Sequence, residues 1–185
     1  MSSPLIHPWP LQTTRLLADY RIFTIRNDIK TSPRTGRQHD FFVIDCPNWV
    51  NVVAVTTDRR LVMVEQFRHG TDTVDLEIPG GVMDLKDASP VEAGVRELRE
   101  ETGYEGHSAR LIGSISPNPA IMSNQCFTLL VEDCELKHPT ELDHGEDIAC
   151  RLLDLEEIPK LVADGVIRHS LVVTALYYFE LHRRR

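Results

Sequence analysis

The sequence predicts an α/β layered sandwich, and three observations predict it. Short β-rich runs broken by turn residues fill the first half of the chain. One well-capped helix follows a Pro-Gly-Gly turn. Two helical stretches close the chain after a second group of strands.

Each element has its own local reason. Residues 20–25 and 40–45 are short and β-rich, and they flank a polar stretch, 27–38, whose Ser32-Pro33 and Thr35-Gly36 are turn chemistry. Residues 50–56 and 61–66 flank Thr57-Asp58-Arg59-Arg60 and read as a hairpin. A further strand over 74–78 ends at Pro79-Gly80-Gly81. Ser89 then offers an N-cap, Pro90 suits the first helical position, and Glu92 completes an S-x-x-E capping box. Gly103 is placed to end that helix at C′. Strands are expected over 109–114, 126–131 and 148–153, and helices over 156–163 and 168–182, with Leu171, Leu176 and Phe179 among the apolar positions of the last. The closing Arg183-Arg184-Arg185 suits the negative end of that helix dipole.

A chain of 185 residues suits one domain with a short N-terminal extension, and 42% hydrophobic residues can bury a core. The first strands have no obvious place in that core. Residues 1–48 are therefore expected to form a small β extension that pairs two copies into a homodimer, and residues 49–185 the main domain. The formal net charge of −8 gives no broad attraction to nucleic acid or to an anionic membrane, so neither is an expected partner. An anionic substrate would have to be held by a few local cations or bound metals. Cys46, Cys126, Cys134 and Cys150 form no CxxC pair and no zinc spacing; Cys126 and Cys150 sit in apolar runs and read as buried thiols. The first ten residues lack the charged and apolar regions of a signal peptide, and no apolar run approaches the roughly 20 residues of a membrane span, so the expected compartment is the cytoplasm.

The informative segment is residues 80–103, GGVMDLKDASPVEAGVRELREETG. On a helical wheel Val91, Gly94, Val95, Leu98 and Thr102 share one side, which can pack on a sheet. Glu97, Glu100 and Glu101 fall at i, i+3 and i+4 and share a different side. Like charges at that spacing repel by a few tenths of a kcal/mol per pair, roughly, and a divalent cation turns that cost into binding. A solvated helix face balanced by Arg96 and Arg99 is the plainer reading of a bare E-x-x-E-E. Here the helix is anchored between a tight Pro-Gly-Gly loop and a terminal glycine, which favours a site.

The segment resembles the Nudix box, G-x5-E-x7-R-E-U-x-E-E-x-G-U with U a bulky apolar residue. Gly81, Arg96, Glu97, Leu98, Glu100, Glu101 and Gly103 match, with Tyr104 in the last apolar place. Asp87 stands where the family has Glu, and the loop carries one inserted residue before Arg96. Val64-Glu65-Gln66-Phe67-Arg68 and Leu76-Glu77-Ile78-Pro79-Gly80-Gly81 are similar to the segments that precede the box in ADP-ribose and nucleotide-sugar pyrophosphatases. Pro119, sixteen residues after Gly103, and the stretch 165–170 fit the ADP-ribose branch. The Asp-x-Lys of the nucleotide-sugar group is replaced here by His169-Ser170-Leu171.

The resemblance implies a Nudix-type α/β/α sandwich with a mixed sheet. It also implies a hydrolase that uses Mg2+, with Mn2+ as a substitute, to split the diphosphate of ADP-ribose or a related nucleoside diphosphate sugar. By that resemblance Glu97 and Glu101 are direct metal ligands, Glu100 a ligand or a holder of coordinated water, and the Gly80 carbonyl a further ligand. Arg96 orients the carboxylates. Arg68 reads as a diphosphate contact or as an ion pair with Glu65 or Glu77. Glu77 reads as support for metal or ribose or as a simple partner of a cation. Pro119, within the rigid turn 117–120, is expected to line the substrate pocket, and Trp49 either stacks on a base or packs. The general base is expected on the acidic loop 140–147, TELDHGED: alignment points to His144, and chemistry favours Glu146, because a carboxylate can also hold water against a metal. Relatives of this branch complete the pocket with a partner subunit. Two other readings stay open. One is a different Nudix specificity, for dinucleoside polyphosphates or nucleoside triphosphates; the other is a silent nucleotide-sensing domain, which should lose the carboxylates that this chain keeps.

Overall fold

The computed structural model describes residues 5–184. The start of the extension expected over 1–48 and the last closing arginine, Arg185, lie outside them. The chain divides into two compact units: residues 1–47 with 116–124, and residues 48–115 with 125–185.

In the first unit β1 (Leu11–Asp19), β2 (Thr24–Thr31) and β3 (Gln38–Asp45) form an antiparallel sheet in the order β1-β2-β3. The strand expected over 20–25 is a correction: residues 20–23 are the turn between β1 and β2, with Arg21 at φ 70°, and much of the polar stretch after it is β2. The reason is that these strands are not patterned by a core. β1 is exposed at almost every position, and β2 buries Asn27 and Asp28 instead of apolar groups. Asp28 is held by Thr14 Oγ1 (2.7 Å), Arg26 Nε (3.1 Å) and Lys30 Nζ (3.8 Å). The returning segment 116–124 lies beside β3, where the Ile44 N–H donates to Ile121 O at 2.8 Å.

The second unit is a mixed sheet of eight strands with helices on both faces. Its strands are β4 (Trp49–Thr56), β5 (Arg60–Arg68), β6 (Thr73–Glu77), β7 (Gly80–Val82), β8 (Tyr104–Glu105), β9 (Ser108–Ile115), β10 (Cys126–Leu136) and β11 (Ile148–Asp154). Its helices are α1 (Pro90–Thr102), α2 (Ile158–Ala163) and α3 (Ser170–Arg183). The central path runs β11-β5-β4-β10-β8; β4 and β10 are parallel and the other pairings antiparallel. Period-two alternation builds two cores. Val53, Val55, Leu61, Met63 and Leu130 face α2 and α3, while Val52, Ala54, Val62, Leu129 and Val131 face α1. This is the expected α/β/α sandwich.

Strands β4 and β5 pair only at Ala54–Val62 and Val55–Leu61. They then part, β4 to take up β7 and β5 to take up β6. Helix α1 starts as its residues dictate: Ser89 Oγ accepts from Glu92 N–H at 3.2 Å, and Glu92 reaches back to Ala88 N–H at 2.7 Å. Gly103, at φ 73°, closes it with its N–H on Arg99 O. Two expectations fail on burial. Val95 is exposed, and Ala93 and Glu97 take its place on the buried side of α1. Cys150 is exposed, because β11 is an edge strand whose middle faces solvent.

Candidate active site

Glu97 and Glu101 lie one turn apart on α1 and are 9% and 4% exposed. The structure therefore puts these two carboxylates inside the protein, not on a solvated face. Burial pushes Glu97 up to about 7, against the pull of Arg96, and Glu101 up to about 8, against a hydrogen bond from the Gly80 N–H at 3.0 Å. Repulsion from Glu146 raises both, as does repulsion from Glu100 on Glu97 and from Glu97 on Glu101. Gly81 leaves room beside them: a Cβ there would lie 2.6 Å from the Glu97 carboxylate and would push it aside.

Arg96 gathers three carboxylates, those of Glu97, Glu100 and Asp87. Its Nη1 donates to Glu97 Oε1 at 3.0 Å and to Glu100 Oε2 at 2.9 Å, while Nε and Nη2 reach the two Asp87 oxygens at 3.2 and 2.9 Å. Those bonds hold Asp87 below the usual carboxylate range. Asp87 thus anchors the arginine that spans the carboxylates. In this arrangement no group of three His, Cys, Asp or Glu side chains among the described residues stands ready-made around one point. The donor set nevertheless suits a hard divalent cation: carboxylate oxygens only, two of the carboxylates buried, with Arg96 bonded to Glu97 and Glu100 and no cation bonded to Glu101 among the described residues.

A cavity of about 300 Å³ opens on this cluster, with Arg68, Gly80, Gly81, Glu97, Glu100, Glu101 and Glu146 in its walls. Gly80 meets the cluster through its amide, on Glu101. Of the two candidate bases, Glu146 is half-buried and lines the cavity, whereas His144 is exposed and does not. Glu141 and Asp143 line it too. The loop is tied to α1 by the Glu141 N–H on Glu100 O at 2.8 Å, and Asp143 N–H donates to Glu146 Oε2 at 3.1 Å.

Arg68 makes a two-pronged pair with buried Glu77, Nε to Oε1 at 2.6 Å and Nη2 to Oε2 at 2.8 Å. Of the partners the sequence left open, Glu77 is therefore the one it uses, and Glu65 pairs with Arg151. Arg68 also borders a second cavity, of about 320 Å³, which shares Gly80, Gly81 and Val82 with the first. Pro119 belongs to the other compact unit, where it lines a cavity with Trp9, Arg26, Lys30 and Phe41.

Sequence reasoning did not single out Glu141, Asp143 or the clamp between Asp87 and Arg96. The density of acids over 140–147 was a signal for the first two. Nothing in a nine-residue separation signals the third.

The NUDIX domain pattern matches residues 47–175. The chain is 30% identical over 140 residues to an ADP-ribose pyrophosphatase of Bacillus subtilis (strain 168), covering 75% of each. It is 25% identical over 180 residues to the ADP compounds hydrolase NudE of Escherichia coli (strain K12), covering 96% of this chain and 94% of that one. A crystal structure of an ADP compounds hydrolase shares its fold, with TM-score 0.85 at 20% identity over 98% of this chain and 97% of that one.

Proposed function

This chain belongs to the Nudix hydrolase family, in its ADP-ribose pyrophosphatase branch, and from that premise we propose that it cleaves the diphosphate of ADP-ribose or a related nucleoside diphosphate sugar. The products are a nucleoside monophosphate and a sugar phosphate. One observation carries the reading: two buried carboxylates, Glu97 and Glu101, face a cavity whose walls add Glu100, Glu146 and Arg68.

Glu97 and Glu101, with Glu100, would hold Mg2+, or Mn2+ in its place, and the Gly80 carbonyl would complete the set. The cation, when bound, neutralises diphosphate charge and activates water for attack on phosphorus. Arg96 keeps Glu97 and Glu100 in register, and Asp87 keeps Arg96 in place. Arg68, braced by Glu77, contacts the diphosphate. Glu146 takes the proton of the attacking water; His144, exposed outside the cavity walls, does not. The test is product analysis of the purified protein with ADP-ribose, GDP-mannose, UDP-glucose and NADH, with and without magnesium. Metal-dependent AMP and ribose 5-phosphate from ADP-ribose are expected, and no turnover of any of the four would sink the reading.

The extension over residues 1–48 is assigned to dimerisation. Leu16, Tyr20, Ile22 and Phe42 of the first unit are 57–75% exposed, more apolar surface than a small solvated sheet needs. Light scattering should give twice the chain mass at micromolar concentration, and a monomer there refutes it. Four free thiols suit a reducing compartment such as the cytoplasm.

A further inference from the structure

The cavity that adjoins the carboxylate cluster has a chemistry of its own. Trp49, Val82 and Leu171 supply apolar wall, and Asn51 and His169 supply polar groups. Its only charged members, Arg68 and Glu77, neutralise each other in a two-pronged pair. Beyond that pair no arginine or lysine lines it to select a phosphate. Its volume of about 320 Å³ equals roughly ten waters' share of the liquid, enough for one ring and its substituents.

Asn51 and His169 each keep one buried nitrogen, Nδ2 and Nδ1, without a hydrogen-bond partner in the protein. They come from different elements. Asn51 sits on β4 opposite Gly80, in register with the strand that leads to the carboxylate cavity. His169 immediately precedes α3 and makes no side-chain capping bond there. Its neighbour Arg168 is fastened to buried Asp75 on β6, Nη2 to Oδ1 at 2.7 Å, which fixes where α3 begins.

We infer that this pocket holds the sugar on the distal phosphate, and that Asn51 and His169 select its hydroxyl pattern; the inference rests on the substrate reading above. A hydroxyl both donates and accepts, so it serves the Asn51 amide, which only donates through nitrogen, and His169 in either tautomer. A sugar also has an apolar C–H face to set against Trp49 and Leu171. Arg68 borders both cavities, so a diphosphate at the boundary leads from the carboxylates into this pocket.

Three substrates separate the pocket's occupant. ADP-ribose and ADP-glucose share the nucleotide and differ in the sugar and the carbon that links it; ADP-glucose and UDP-glucose differ only in the base. In His169→Ala and in Asn51→Ala the kcat/KM ratio of the first pair should shift by about tenfold, the size of one net hydrogen bond, and the ratio of the second pair should stay where it was. A shift in the base pair alone, or in neither, overturns the inference. If the wild-type protein cleaves none of the three, the substrate reading fails, and fluorescence still decides the pocket. The chain has two tryptophans, so a Trp9→Phe variant reports on Trp49 alone. Quenching by ribose 5-phosphate and not by adenosine supports a sugar site; quenching by adenosine alone, or by neither, overturns it. The same titration serves if either alanine variant does not fold.

Discussion

Two places in this molecule bury carboxylates, and they handle the charge in opposite ways. On β2, Asp28 is 2% exposed and is met by a hydroxyl, an arginine and a lysine, so its pKa lies below the ordinary value despite the burial that opposes this. On α1, Glu97 and Glu101 lie deeper among protein atoms and meet fewer cations, and burial wins and lifts them to about 7 and about 8. The first arrangement is complete and serves the sheet. The second is short of positive charge, and a diphosphatase is the kind of protein that keeps such a deficit for a cation to fill.

The largest expected effect follows directly. Chelation with EDTA should abolish turnover, and Mg2+ or Mn2+ should restore it; full activity in metal-free buffer would end the mechanism. Glu101→Gln removes one buried donor and should lower kcat by at least about 10²-fold, since bound metal contributes several kcal/mol to such reactions. Near-normal turnover would show that Glu101 is not a ligand. Next in size is the base: Glu146→Gln should cost on the order of 10²-fold in kcat with KM little changed, and His144→Gln should be mild. If both variants stay near wild type, the loop is only a cover for the cavity.

Strands β4, β5 and β10 were legible in the sequence because their apolar residues alternate onto two packed faces, and α1 because Ser89 and Gly103 punctuate it. The sheet of β1–β3 was not, because β1 faces solvent almost throughout and β2 is stabilised by ion pairs, which leave no periodic signal. Helical spacing grouped Glu97, Glu100 and Glu101 on one side but carried no sign of how deeply they are buried. Their burial depends on β7 lying against α1, a tertiary fact. Glu146 and His144 are two residues apart on one loop, and only its course shows which one enters the cavity.

A smaller effect sharpens the contrast through stability. Asp28→Asn should destabilise the metal-free protein by about 1–3 kcal/mol, because Arg26 and Lys30 lose their buried partner. Glu101→Gln should leave the same protein as stable as before or more so at pH 8, because it removes a buried charge that has no cation of its own. Denaturant titration of the two variants reads both. Equal losses would mean that the two carboxylates are structural in the same sense.

The smallest effect is the pH dependence of that stability. In the metal-free fold Glu97 and Glu101 bind protons more tightly than an ordinary glutamate at about 4.5, so the folded state gains from their protonation. This contribution is fully present below about pH 4.5 and is lost as pH rises through about 7 and about 8, so their part of the metal-free Tm declines over that window. A divalent cation competes with the same protons. It should add little to Tm near pH 5 and progressively more toward pH 8, where a concentration of 100 times Kd is worth about 2.7 kcal/mol. Melting curves with and without Mg2+ across that range give the difference directly, and subtraction cancels every group the cation does not touch. A Mg2+ increment that is constant with pH would mean that the cation, if it binds, does not displace the protons of Glu97 and Glu101.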